Sequence, residues 1–139
     1  MKTRRPNDLD RAIDAGRATL ALTPRASPDR VIYLSNLASW LDDRHSRSAD
    51  PADLDESIAV LEDAFGAVAD LSTNRARVAF TLAGRYERRY SDREPPDLAD
   101  LQQACDLWDE TLAAGEPFIA VYAGQHLGDV ALAIGDWAK

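Results

Sequence analysis

The sequence contains very little cysteine, histidine or methionine, and it has no long apolar segment. Among its 139 residues there are one cysteine, two histidines and one methionine. A single cysteine cannot form an internal disulfide, so nothing in the sequence calls for an oxidising compartment. No apolar run approaches the roughly 20 residues of a membrane-spanning helix. The basic start of the chain also lacks the apolar core of a signal peptide. We therefore expect a cytoplasmic protein that does not insert into membranes.

Positive charge is also scarce. Asp and Glu number 24 against 16 Lys and Arg, which gives a formal net charge of -8. Because nucleic acids and anionic membranes bind to basic surfaces, we expect neither as a partner. The remaining composition, with 45% hydrophobic and 29% charged residues, is typical of a soluble globular protein. The length fits one domain with a continuous core.

Two sequence motifs recur along the chain with a common spacing. The first reads Asp-Leu-Asp-x-x-Ile in its fullest form and occupies residues 8–13, 53–58 and, more loosely, 100–105. The second reads Leu-(Ala/Gly)-x-x-apolar and occupies residues 37–41, 82–86 and 127–131. Both motifs keep a spacing of about 45 residues, which indicates an internal repeat.

Apolar residues in both motifs are spaced as on one face of a helix. Ile13, Gly16 and Leu20 follow the i, i+3, i+7 pattern, and no segment alternates with a period of two. The dipeptides Ser27-Pro28 and Asp50-Pro51 each offer a capping side chain before a proline at the first helical position. We therefore predict an all-α fold. Its six helices are expected near residues 8–22, 29–46, 52–69, 73–92, 97–114 and 117–134.

The short linkers between these helices predict antiparallel helix pairs that stack into a right-handed α-solenoid. The sequence begins with a helix of the first motif that lacks its partner, and it stops three residues into a further predicted helix. We therefore expect residues 1–139 to be a single repeat domain that is a fragment of a longer array. Exposed terminal helices would then allow a homo-oligomer.

The repeat resembles the tetratricopeptide repeat (TPR). In that family a Leu-(Ala/Gly)-x-x-(Tyr/Leu) helix precedes a helix with small, large apolar and small residues at spacing 0, 4, 7, as in Ser57, Leu61 and Ala64. The period is longer than the common one of about 34 residues. Together with the segment from Pro51 to Ile58, it resembles a long variant in actinobacterial and fungal proteins. Those proteins often carry a caspase-like CHAT domain or a signalling ATPase.

The resemblance implies a concave groove that binds a peptide or a partner protein. Its positions, carried over to this chain, are Ile32, Ser35, Ser39, Asp42, Arg77, Phe80, Gly84, Arg88, Tyr122, Gln125 and Asp129. Such a mixed and partly aromatic surface suits an extended peptide or a helix. The family's basic clamp for chaperone tails is not reproduced, because Ser39, Gly84 and Asp129 stand where its asparagine would be.

No group of residues indicates an enzyme, and we expect neither a cofactor nor a metal. His45 is expected at a solvated helix end and His126 on a half-exposed face; neither has a His or Cys at i+3 or i+4 for zinc. Cys105 is interpreted as a small buried apolar residue. Solvated helix faces account for the plentiful carboxylates, which include Asp53, Asp55, Glu56, Glu62, Asp63, Asp106, Asp109 and Glu110.

One basic cluster stands out in this acidic chain and consists of Arg85, Arg88, Arg89 and Arg93. We expect a solvated helix face whose arginines pair with Glu87 or nearby acids. The alternative is a contact for an acidic peptide or a terminal carboxylate. The aromatic residues Trp40, Tyr86 and Trp108 are predicted to pack between helices.

Three functions follow as hypotheses. The leading one is a protein-interaction scaffold that binds a peptide or partner protein in the concave groove. The second is a self-assembling structural segment that builds a homo-oligomer. The third is the sensor arm of a larger CHAT-type protease or signalling protein, whose chemistry would lie on other residues.

Overall fold

The computed structural model describes residues 6–68 and 73–113, and this part of the chain is helical with no β-strand. Its five helices are α1 (Pro6–Leu22), α2 (Arg30–Ser48), α3 (Pro51–Ala67), α4 (Thr73–Asp92) and α5 (Leu98–Ala113). The predicted all-α class is therefore confirmed over these residues. Each helix begins and ends within two residues of its predicted range. The helix predicted at 117–134 lies outside the described residues. None of the five is both long enough and apolar enough to cross a bilayer.

Aspartates cap the starts of α3 and α5. The Ala52 N–H donates to Oδ1 of Asp50 at 3.0 Å, and the Ala99 N–H donates to Oδ1 of Asp97 at 2.9 Å. The cap predicted at Asp50 is therefore confirmed, since a carboxylate satisfies an amide that has no partner within the helix.

The start predicted at Ser27-Pro28 is wrong by two residues. Ser27 and Pro28 belong to a turn that precedes α2, and the helix begins only at Arg30. In this turn the Arg30 N–H donates to the Ser27 carbonyl at 3.2 Å, while the Ser27 hydroxyl accepts the Asp29 N–H at 3.3 Å. Ser27 therefore holds the turn together instead of capping the helix.

The chain divides into two compact units, residues 1–67 and 68–139. In the first unit, α2 packs against both α1 and α3. Arg44, in the last two turns of α2, reaches Asp10 near the start of α1 and Asp53 near the start of α3. Both neighbours are therefore antiparallel to α2. Their core is built on Leu9, Ile13, Leu37 and Leu41, all at most 2% exposed. Each such buried side chain contributes about 1.5–3 kcal/mol.

Gly16 allows the indole ring of Trp40 to lie directly against α1. A Cβ atom at Gly16 would stand only 3.1 Å from Cζ3 of Trp40 and 3.4 Å from Cδ1 of Leu37. The matching positions in α3 and α5 hold the large residues Leu61 and Trp108. The glycine in the predicted apolar stripe is therefore a packing feature, because Trp40 fills the volume that a side chain would take.

In the second unit, α4 and α5 form an antiparallel hairpin around Trp108. This indole is 1% exposed. Its Nε1–H donates to Oε1 of Glu87 at 2.7 Å, and the ring of Phe80 meets it edge-on with centroids 5.1 Å apart. Tyr86 is also buried, at 5% exposure. The prediction that Trp40, Tyr86 and Trp108 pack between helices is thus confirmed.

Candidate interaction surfaces

A buried arginine–aspartate pair closes the turn end of each hairpin, α2–α3 and α4–α5. Arg44 donates to both oxygens of Asp53, with Nη2 at 2.8 Å from Oδ1 and Nε at 3.0 Å from Oδ2. Arg89 binds Asp100 in the same way, at 2.8 Å and 3.2 Å. The Asp53 and Asp100 side chains are 6% and 3% exposed. The hydrogen bonds that Arg44 donates to Asp53 and Asp10 raise the pKa of its guanidinium above the ordinary value. The prediction of a solvated Asp53 was therefore wrong, because the guanidinium of Arg44 on the preceding helix covers it.

A second arginine closes the opposite end of each hairpin. Nη2 of Arg30 lies 3.0 Å from Oδ2 of Asp63, and its Nη1 donates to the Thr23 carbonyl at 3.3 Å. Arg75 pairs with Glu110, and its Nη1 donates to the Val68 carbonyl at 3.5 Å. The two sets correspond along the repeat, since both arginines and both carbonyls are separated by 45 positions and the two acids by 47. The hairpins are therefore two copies of one structural unit with the same clamps.

The sequence contains a signal for these clamps that pattern reading missed. Both hairpins carry Asp-x-Ala-Asp-Leu at the start of their second helix, at residues 50–54 and 97–101. The first Asp of this motif caps the helix, and the second is the buried clamp residue. A repeated arginine pair at the period of the repeat, Arg30 with Arg75 and Arg44 with Arg89, would have pointed to the partners.

The basic cluster of α4 is largely engaged within its own unit. Arg89 clamps Asp100, and its guanidinium carbon also lies 5.3 Å from the centre of the Tyr86 ring. Arg93 lies 3.9 Å from the same carboxylate, and Arg88 pairs with Asp92 at 3.2 Å. The cluster therefore pairs with acids as expected, but its main partner lies on α5. The expected pairing along one helix is seen at Arg88, whose partner Asp92 lies at i+4.

His45 is buried and not at a solvated helix end, so that prediction was wrong. It is 2% exposed because α2 continues to Ser48 and position 45 extends the buried stripe of Leu34, Ala38 and Leu41. Its carbonyl accepts the N–H of Ala49, which ends the helix in a left-handed conformation. The other histidine, His126, lies outside the described residues. No group of three metal-binding side chains occurs in residues 6–68 and 73–113.

Cys105 is half-buried, whereas Ile13 and Ile58 at the same register are fully buried. Burial raises the pKa of its thiol, and the neighbouring charges of Asp109, Asp106 and Glu87 raise it further. The environment therefore disfavours the thiolate, which is the reactive form of cysteine.

We expect Cys105 to be alkylated slowly at neutral pH. Because its pKa is raised, the rate with iodoacetamide should increase with pH along a curve displaced to higher pH than that of a free cysteine. Replacing Asp109 by asparagine removes the second cause and should move the curve back toward lower pH. A Cys105 thiol that reacts faster than free cysteine at pH 7 would contradict this description.

The face of α2 predicted to bind a partner is accessible. Ile32 is 58% exposed, Ser39 is exposed, and Ser35 and Asp42 are half-buried. These four residues share one side of the helix, away from the buried Leu37 and Leu41. An isoleucine this exposed contributes nothing to the core and leaves an apolar contact available to a partner.

The corresponding face of α4 combines two arginines with a gap. Arg77 and Arg88 are exposed, and within the described residues no atom outside the adjoining helix backbone lies within 4 Å of the position a Cβ would take at Gly84. The Arg77 carbonyl accepts the Thr81 hydroxyl at 3.0 Å. Phe80 differs from the others because its ring packs on Trp108. The third set of predicted positions, Tyr122, Gln125 and Asp129, lies outside the described residues.

A shallow pocket of about 270 Å³ lies in the first unit beside Arg25, Arg30, Glu62, Asp63, Gly66 and Ala67. Two of its lining residues, Arg30 and Asp63, are paired with each other in the clamp.

No family model, curated protein or solved structure matches the chain at a significant level. The structural comparison that remains is the one between the two hairpins of the chain itself.

Proposed function

We propose that the chain is a TPR-like repeat scaffold that binds a peptide or a partner protein on the exposed faces of α2 and α4. The supporting observation is that α2–α3 and α4–α5 repeat one unit with matching clamps at both ends. A repeated unit held by its own internal pairs presents an equivalent surface in each copy, as repeat proteins that bind partners do.

The distribution of packed and exposed residues on α2 and α4 favours the exposed faces as the binding surface. One side of each helix packs in its hairpin, as Leu41 and Tyr86 show. The clamp arginines at both ends are engaged with acids of the following helix. What remains on α2 is an exposed isoleucine among small polar residues. What remains on α4 is the exposed Arg77, with the open position at Gly84 about two turns further along the same face. An exposed guanidinium suits a carboxylate contact.

The proposal is tested with peptides selected from a random library against the full chain. Affinities of the best binders are then measured by fluorescence anisotropy on variants. We expect Ile32→Glu to weaken binders of the α2 face, and Arg77→Glu binders of the α4 face, by about tenfold or more, the size of one good interface contact. Both positions are exposed, so these changes should leave the helix content intact.

A matched control is Arg11→Glu, which makes the same charge change as Arg77→Glu at an exposed site on α1. It should leave the affinities within about twofold, because exposed charges away from an interface act weakly. Phe80→Ala is less suitable as a test, since it also removes the contact with Trp108. The proposal is wrong if the selected peptides lose as much affinity with Arg11→Glu as with the other two variants, or if none of them responds to either variant.

A further inference from the structure

One side of α1 differs in burial from the matching sides of α3 and α5. Helices α1, α3 and α5 can be aligned by the Asp-Leu pair near the start of each. The stripe on the side that differs consists of the positions i, i+4, i+7 and i+11 counted from that Asp. Its members are Asp8, Ala12, Ala15 and Thr19 in α1; Asp53, Ser57, Val60 and Ala64 in α3; and Asp100, Ala104, Leu107 and Thr111 in α5.

In α3 and α5 this stripe is the surface on which the preceding helix lies. Asp53 and Asp100 are buried under Arg44 and Arg89, and the positions four residues later are 0% exposed. The Ser57 hydroxyl donates to the Ala38 carbonyl of α2 at 3.4 Å. Ser57 thus lies against the small Ala38 of α2, and in the second hairpin the small residues Ala83 and Ala104 are both fully buried.

In α1 the same stripe is open. Asp8, Ala15 and Thr19 are exposed and Ala12 is half-buried. Leu22, 87% exposed, continues the stripe by one further turn. The next side of the helix is fixed in the core, since Leu9 and Ile13 are 1% and 0% exposed. The stripe is therefore presented on a packed helix.

The local geometry of the open stripe already matches its covered counterpart. The Thr19 hydroxyl donates to the Ala15 carbonyl at 2.8 Å, and the buried Thr111 hydroxyl donates to the Leu107 carbonyl at the same distance. Binding a helix here would therefore not require Thr19 to change its hydrogen bond. Asp8 lies where the other copies hold a clamped carboxylate.

We propose that this stripe of α1 is a docking site for an amphipathic helix that runs antiparallel to α1. The occupant carries Leu-Ala-x-x-apolar-x-x-Arg, the pattern that covers the matching stripes from residues 37–44 and 82–89. Its alanine lies against Ala12, and its arginine binds Asp8. This site is separate from the exposed faces of α2 and α4 and does not depend on the function proposed for them.

The test uses the full chain and a labelled synthetic peptide with the sequence of residues 73–92, measured by fluorescence anisotropy. Saturable binding is expected. Thr19→Arg should weaken it by about tenfold or more, because a long charged side chain on a close helix contact must be desolvated or displaced. Asp8→Ala in the chain, or Arg89→Ala in the peptide, should each weaken it several-fold by removing one partner of a charge-assisted bond.

A gain of affinity distinguishes docking from damage to the fold. Ala18 of α1 matches Asp63 and Glu110, the acids that receive Arg30 and Arg75. Ala18→Glu should therefore tighten binding by about two- to fivefold, the range of a partly exposed ion pair. Combining it with Arg75→Ala in the peptide should cancel the gain.

The controls are a scrambled peptide and Ala21→Arg, an exposed position on another side of α1. The scrambled peptide should not bind, and Ala21→Arg should leave the affinity unchanged. The proposal is overturned if the peptide shows no saturable binding at millimolar concentration, or if Thr19→Arg and Ala21→Arg have equal effects. Loss of binding on Ala18→Glu would overturn it as well. A failure here leaves the library-selected binders of α2 and α4 unaffected.

Discussion

Replacing Asp100 by alanine is expected to lower the free energy of unfolding of its unit by about 3 kcal/mol, as for other broken buried ion pairs. The side chain is 3% exposed and receives two hydrogen bonds from Arg89, which is itself only 20% exposed. Without Asp100 the guanidinium keeps its desolvation cost and loses its strongest acceptor. Asp53→Ala should act in the same way in the first unit, because Arg44 holds it in the same geometry.

Urea denaturation followed by circular dichroism measures this effect. Asp106→Ala is the matched control, since it removes an exposed carboxylate of the same helix that accepts a hydrogen bond from Gln102 at 3.1 Å. It should change the free energy of unfolding by no more than about 0.5 kcal/mol. Replacing both clamp residues, Arg89→Met with Asp100→Leu, should recover most of the loss because no charge is left buried alone. Equal effects of Asp100→Ala and Asp106→Ala would refute the clamp.

Trp108→Ala is expected to cost about 3–5 kcal/mol, the range for removing a buried aromatic side chain from a core. Trp108 is 1% exposed, and its loss also removes the edge-on contact with Phe80 and the hydrogen bond to Glu87. The cavity that this substitution leaves would lie between α4 and α5, where Leu82 and Ala104 are also buried. Neither helix can close it without breaking the clamps at the two ends of the hairpin.

Amide hydrogen exchange locates this destabilisation. Protection should fall in α4 and α5, while α1 and α2 around Leu9 and Leu41 should retain theirs. Trp108→Phe is the informative control, because it keeps most of the apolar volume and leaves Glu87 without the indole donor. It should cost clearly less than Trp108→Ala. A uniform loss of protection in both units would show that they do not unfold separately.

The helices could be predicted from the sequence because their signals are local. An apolar residue every three or four positions, a capping carboxylate such as Asp50, and a proline at the first helical position all lie within a few residues of the element they define. The pattern also identified Trp108 and Tyr86 as packing residues, since both continue an apolar stripe.

The clamps and the burial of His45 could not be read from such local signals. An aspartate in a first helical turn is normally solvated, and only Arg44, nine residues away and on another helix, determines that Asp53 is buried. His45 lies within the predicted helix, four residues after Leu41, and its burial is decided by the helices that pack along this stripe. The half-buried state of Cys105, which was predicted to be buried, has a similar cause. Its exposure depends on neighbours outside the stripe to which it belongs.

The candidate surfaces likewise combine features that follow from local signals with features that depend on contacts between helices. Helical periodicity was enough to place Ile32, Ser35 and Ser39 on one side of α2. It did not reveal that Phe80 is engaged with Trp108, because an edge-on ring contact joins residues 28 positions apart. Nor could it show that Asp8 is exposed where Asp53 and Asp100 are buried, since the same Asp-Leu pair is covered by a helix in two copies and uncovered in the first.

The most direct test of the scaffold proposal is NMR mapping of a library-selected peptide on the isotopically labelled full chain. The proposal predicts that the largest amide shifts fall on the exposed sides of α2 and α4, around Ile32, Ser39, Arg77 and Gly84. Exposed positions of α3 and α5, such as Asp55 and Asp109, should change little. Shifts concentrated on α3 and α5, with the faces of α2 and α4 unaffected, would contradict it.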